Sequence, residues 1–170
     1  MLKRPSYEEA RDLLLSLVRP RETERVPLEE SAGRVLAQEL YAAENGPAFD
    51  RSPYDGYALR AADVKDASRE APVTLRVLEE IPAGSAPTQR VTAGMASRVM
   101  TGAPIPEGAD TVIMFEKTEF TKTSVTLFAP VRLGDNVVRA GEDIRAGALL
   151  VSAGERIDAA LAGSLAAQGV

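Results

Sequence analysis

The chain contains neither cysteine nor histidine in its 170 residues. The first absence removes disulfides and thiolate nucleophiles, and the second removes the commonest general base. Together they remove the usual ligands of a zinc site. Chemistry must therefore run on carboxylates, hydroxyls, Lys, Arg, Tyr or a bound ion. Long apolar runs are missing too: none approaches the roughly 18 residues of a membrane span. Met1-Leu2-Lys3-Arg4-Pro5 leads into a helical pattern rather than a signal-peptide core. A soluble, cytoplasmic protein with no membrane partner is the expectation. Basic excess is absent as well, since 20 Lys and Arg face 25 Asp and Glu, giving a net charge of -5 and a pI near 4.9. With acids and bases interspersed, no basic stripe exists to neutralise phosphates, which argues against nucleic acid as a partner.

What is present is enough to fold. An apolar content of 45% supports a real core, and the length lies between one large domain and two small ones, of which we expect two. Ser6, with Glu9 three residues on, forms a capping box ahead of Ala10, Leu13, Leu14, Leu17 and Val18, which share one helical face until Pro20 stops it. Leu28 to Leu40 reads as a second, mixed helical stretch interrupted at Gly33. After Glu44-Asn45-Gly46-Pro47 the pattern becomes short and β-branched. Val73–Leu78, Ser97–Met100, Thr111–Phe115, Ser124–Phe128 and Asn136–Arg139 read as strands separated by turn residues. Ala148–Val151 precedes a turn at Ala153-Gly154. A final helix then follows, capped by Asp158, facing with Leu161 and Leu165, and ended by Gly169.

This order predicts an α+β fold: a helical platform built from both chain ends, residues 1–45 and 142–170, with a mostly β sheet or barrel inserted over 46–141. The physical motive is that Leu13, Leu14 and Leu17 need a surface, and the Leu161–Leu165 stripe is the other long helical one.

Four loop segments carry candidate chemistry. In Phe49-Asp50-Arg51-Ser52-Pro53-Tyr54-Asp55-Gly56-Tyr57-Ala58, Asp55 is a hard oxygen ligand suited to magnesium or to a hydroxyl, and Gly56 permits close backbone approach. Asp55-Gly56 also reads as an ordinary tight turn. In Met100-Thr101-Gly102-Ala103-Pro104-Ile105-Pro106-Glu107-Gly108, a hydroxyl beside Gly102 can face an oxyanion, or the segment can be a rigid turn ending a strand. Arg139-Ala140-Gly141-Glu142-Asp143-Ile144 offers Arg139 to an anion and Asp143 to a cation, or again a turn with a surface charge. In Asp50-Arg51-Ser52, adjacent acid and base read as bracing for the loop.

The three longer segments, taken in order and at their spacing, resemble the N-terminal portion of the molybdopterin molybdenumtransferases, of the bacterial MoeA type and the matching domain of gephyrin. The resemblance covers nearly the whole chain. It implies insertion of molybdate, or tungstate in relatives, into adenylylated molybdopterin with release of AMP, aided by Mg2+. By that resemblance Asp55, Thr101 and Asp143 belong to the catalytic cleft, with Asp55 and Asp143 as metal ligands and Ser52, Gly102 and Arg139 as substrate-binding neighbours. One departure is that the family often carries Arg three residues before the Gly of Gly-Glu-Asp, where this chain has Val138.

The resemblance further implies a homodimer through the helical platform, with the molybdopterin adenylyltransferase as a second partner. The family's pterin-binding domain and C-terminal β domain are expected downstream. Without them the chain is expected to behave as a fragment holding half a cleft, inactive alone. Two other readings stay open: a non-catalytic dimerisation scaffold, and a stand-alone small-ligand β module.

Overall fold

The computed structural model describes residues 4–19 and 21–170, so the expected stop at Pro20 lies outside the described residues. Helix α1 spans Tyr7–Leu17 and helix α2 spans Ala159–Ala167. Among the described residues eight strands lie between them: β1 Leu40–Tyr41, β2 Gly56–Leu59, β3 Val73–Ile81, β4 Met95–Val99, β5 Thr111–Met114, β6 Thr118–Phe120, β7 Ser124–Leu127 and β8 Leu149–Val151. The protein is thus mostly β with two helices. It divides into two compact units, one drawn from residues up to Gln38 and from Ser152–Gln168, the other from Glu39–Val151.

In the first unit, both helix starts follow their sequence signals. Ser6 Oγ accepts the Glu9 amide at 3.2 Å while Glu9 accepts the Ser6 amide at 2.8 Å, closing the capping box. Asp158 accepts the Leu161 amide at 2.8 Å. Each such cap stabilises its helix by about 1 kcal/mol.

The stretch from Leu28 to Leu40 is not a helix. Only Leu28–Glu30 forms a 3-10 turn, and the chain then turns at Gly33, whose φ is +82°. Residues 33–36 instead run antiparallel to 154–157 through Gly33 N–H to Ile157 C=O (2.7 Å), Ile157 N–H to Arg34 C=O (2.8 Å) and Leu36 N–H to Glu155 C=O (2.8 Å). Backbone pairing with a distant segment overrides the local helical spacing.

Helix α2 buries Leu165 and packs near the 3-10 turn, whereas α1 buries none of its side chains among the described residues. The expected docking of the Leu13–Leu17 stripe on the last helix is therefore not present. Leu13, Leu14, Leu15 and Leu17 are 60–70% exposed.

The second unit is built on a six-stranded sheet in the order β5-β2-β4-β3-β7-β6, with β1 and β8 paired separately. All neighbours run antiparallel except β3 and β4, which are parallel with an irregularity between Val77 and Glu80. Strand β2 is buried on both faces. Alternate residues point to opposite sides of a strand, so Tyr57 and Leu59 join one core cluster with Leu75, Ile113, Val125 and Leu127. Ala58 joins a second with Ile81, Val99 and Val112. Burying Leu59 alone contributes roughly 1.5–3 kcal/mol. The expected strand at Asn136–Arg139 reduces to a single bridge between Val138 and Arg51, because Asn136 takes φ +55° and breaks the extended run.

Candidate functional site

Three loops of the second unit converge. Arg51 and Val138 exchange both backbone hydrogen bonds (2.9 and 3.0 Å). Ser52 N–H donates to Ala103 C=O at 2.9 Å, and Gly102 N–H donates to Ser52 C=O at 2.8 Å. Ile105 N–H reaches Asp50 C=O at 2.9 Å, while Gly141 N–H reaches Pro47 C=O and Asp143 N–H reaches Gly46 C=O, both at 2.9 Å. Segments 46–55, 100–105 and 138–144 are therefore fixed to one another by main-chain bonds. Loops tied in this way present side chains from a rigid base.

Asp55 and Thr101 form the polar centre of this surface. One carboxylate oxygen of Asp55 accepts both the Thr101 amide and the Thr101 hydroxyl, each at 2.7 Å. The Thr101 amide is the first cause that holds the Asp55 carboxyl below its ordinary value, followed by the Thr101 hydroxyl, with the Arg98 charge adding to them. Both residues are exposed. Asp55 is thus an ionised, oriented carboxylate whose second oxygen remains outside the pair.

The other sequence candidates are placed differently. Ser52 is fully buried and its hydroxyl donates to the Tyr54 carbonyl, so its side chain shapes the turn. Gly102 holds φ +84°, a left-handed conformation that lets Thr101 and Ala103 leave in opposite directions. Arg139 pairs with Asp50, Nη1 to Oδ2 at 2.6 Å, and the Ala140 amide donates to the other Asp50 oxygen at 2.8 Å. The Ala140 amide, then Arg139, hold the Asp50 carboxyl low against its partial burial. The loop brace expected at Asp50 therefore exists, with Arg139 rather than Arg51 as its cation.

Asp143 is exposed, and among the described residues its carboxylate has no hydrogen-bond or ion-pair partner. It lines an open groove of about 480 Å³ with Glu142, Arg145 and Leu149. No side-chain bond joins it directly to Asp55. A larger hollow of about 630 Å³ lies between β5 and β6, lined by Ile113, Thr118, Phe128 and Asn136, and holds none of the sequence candidates.

Two contributors escaped the sequence reading. Asn45 accepts the Ala146 amide at 2.9 Å and fixes the 141–146 loop. Arg98 lies on β4 close enough to act on Asp55; its place three residues before Thr101 was the available signal.

The chain is thus mostly β with two helices among the described residues, and the tied loops of its second unit present a carboxylate and a hydroxyl side by side. The chain belongs to the family of the MoeA N-terminal region (domain I and II), whose model matches residues 5–169.

It is 44% identical over 152 residues to a molybdopterin molybdenumtransferase of Bacillus subtilis, covering 87% of this chain and 35% of that protein. It is 36% identical over 165 residues to molybdopterin molybdenumtransferase 2 of Mycobacterium tuberculosis, covering 97% and 41%. The crystal structure of the molybdopterin biosynthesis moeA protein of Pyrococcus horikoshii OT3 superposes with a TM-score of 0.91 at 38% identity, over 99% of this chain and 45% of that one. The chain thus spans less than half the length of each of these relatives.

Proposed function

We propose that the chain is the N-terminal region of a molybdopterin molybdenumtransferase. It would contribute one wall of the cleft in which molybdate enters adenylylated molybdopterin and AMP leaves. The observation that carries this reading is the Asp55–Thr101 pair, with both bonds at 2.7 Å on loops fixed through Ser52 and Gly102. Catalysis on such a wall is positioning and electrostatics. Thr101 gives its amide and hydroxyl protons to one oxygen of Asp55 and so fixes the carboxylate, whose second oxygen is left to act on the reacting phosphoanhydride side.

The donors suit Mg2+ by their chemistry. No group of three or more His, Cys, Asp or Glu is gathered among the described residues, but Mg2+ is usually held by one or two carboxylates with waters and substrate phosphates. The second oxygen of Asp55 and the unpaired carboxylate of Asp143 would hold it. When bound, it would neutralise charge developing on the phosphates.

Turnover then requires the regions that the longer relatives carry beyond the matched segment, and the chain alone releases no AMP. The exposed leucines of α1 support a homodimer, and the molybdopterin adenylyltransferase, which would supply the adenylylated substrate, is the second partner. Within the described residues no helix is long and apolar enough to cross a membrane.

The reading is tested by Asp55→Ala and Asp143→Ala in the full-length protein that carries this segment, with AMP release as the assay. Loss of turnover in both is expected. Unchanged turnover would instead support the scaffold reading, and AMP release by the 170-residue chain alone would refute its dependence on regions beyond the matched segment.

A further inference from the structure

We propose that Arg98 is a positioning residue for Asp55, acting through the aromatic side chain and backbone of Phe115. This rests on the reading of Asp55 as a site residue. Arg98 sits on β4 directly opposite Tyr57 of β2. Its guanidinium lies 4.6 Å from the ring centre of Phe115 and 5.7 Å from that of Phe120, and Nη1 is 3.1 Å from the Glu80 carboxylate on β3. The rings of Tyr57, Phe115 and Phe120 pack on one another at 5.2–5.9 Å.

Nε of Arg98 is buried without a hydrogen-bond partner. An unpaired buried donor costs free energy, so a cation kept there needs a compensating reason. Tertiary packing supplies one. Phe115 follows β5 directly, and its N–H donates to the Asp55 carbonyl at 3.3 Å. A chain of contacts therefore runs from Glu80 through Arg98 and Phe115 to the backbone of Asp55, whose carboxylate meets Thr101. The flat guanidinium holds Phe115 in place, and Phe115 sets where the Asp55 carboxylate stands. The same cation favours the ionised Asp55, which supports the placement without being needed for it.

The mechanism predicts that shape matters as well as charge. Lysine retains the charge but lacks the planar fork that stacks on a ring while pairing with a carboxylate.

The test records the Thr101 amide resonance in the 170-residue chain, with Asp55→Asn as the reference for a lost charge-assisted bond. Arg98→Met and Arg98→Lys are both expected to move that resonance toward the Asp55→Asn position, and Glu80→Gln to move it less in the same direction. In the full-length protein, Arg98→Lys is expected to lower kcat by roughly 10- to 100-fold with KM little changed, as misplacement of a reacting group does. Should Arg98→Met not fold, Arg98→Lys and Glu80→Gln decide. A Thr101 amide at its parent position in Arg98→Lys overturns the proposal. If Asp55→Ala leaves turnover intact, the site reading fails, whereas the amide shift still reports whether Arg98 positions Asp55.

Discussion

Replacing Gly56 by alanine puts a methyl group where there is no room for one. A Cβ at Gly56 would stand 2.1 Å from the Ile113 carbonyl oxygen, 2.9 Å from its carbon and 3.2 Å from Met114 Cα. These are backbone atoms of β5, paired with β2 through Gly56–Met114 and Tyr57–Ile113, so relief requires the two strands to part. Overpacking costs about 1–3 kcal/mol, and each weakened ladder bond adds about 0.5–1.5 kcal/mol, for a total near 3 kcal/mol. For a chain of this length that lowers the thermal midpoint by roughly 6–12 °C.

Far-ultraviolet circular dichroism of the parent and of Gly56→Ala measures it. Gly163→Ala serves as the opposite control, since Gly163 lies exposed in α2 with nothing within 4 Å of its would-be Cβ and has ordinary helical φ. That change should stabilise by about 0.5–1 kcal/mol. A Gly56→Ala midpoint equal to the parent's would refute the argument. A lowered midpoint would show that glycine follows Asp55 because the neighbouring strand leaves no room for a Cβ there.

Asp50 gives a pH prediction. Its folded carboxyl is held below the ordinary 3.8, so its contribution is present above that value and is lost as pH falls through the lower folded value. Asp50→Asn should therefore flatten the acid limb of a stability–pH curve recorded below about pH 5, and an unchanged limb would contradict the Ala140 and Arg139 bonds. For α1, Leu13→Glu with Leu17→Glu should convert a dimer to a monomer in sedimentation velocity. A parent chain that is already monomeric, or a double variant that stays dimeric, would remove α1 from the interface.

Local signals were readable where one short stretch contains the whole interaction. The Ser6–Glu9 box and the Asp158 cap are of this kind, while the strands at Val73, Thr111 and Ser124 were readable from their own β-branched runs although their partners lie elsewhere. Strand β2 was hidden because Gly56-Tyr57-Ala58-Leu59 adjoins Pro53 and an Asp-Gly pair that read as loop. The stretch after Leu28 read as helix because Val35 and Leu36 fall at helical spacing, while the partner that extends them lies at 154–157. For the site, the residue types were legible, but their partners were not. Asp50 meets Arg139 across 89 positions and Asp55 meets Thr101 across 46, separations that carry no local pattern.

The ladder between 33–36 and 154–157 has a consequence for the order of folding. Its two sides are separated in sequence by all of Glu39–Val151, so it cannot close until that whole stretch has been synthesised. Closing a loop that long costs more entropy than any hairpin in the sheet, unless the intervening stretch has already become compact. The β unit therefore forms first and brings the two sides together. Until then the backbone edges of 33–36 and 154–157 stand unpaired on the nascent chain, adding an aggregation-prone edge to the α1 leucines, which stay exposed in the folded chain as well.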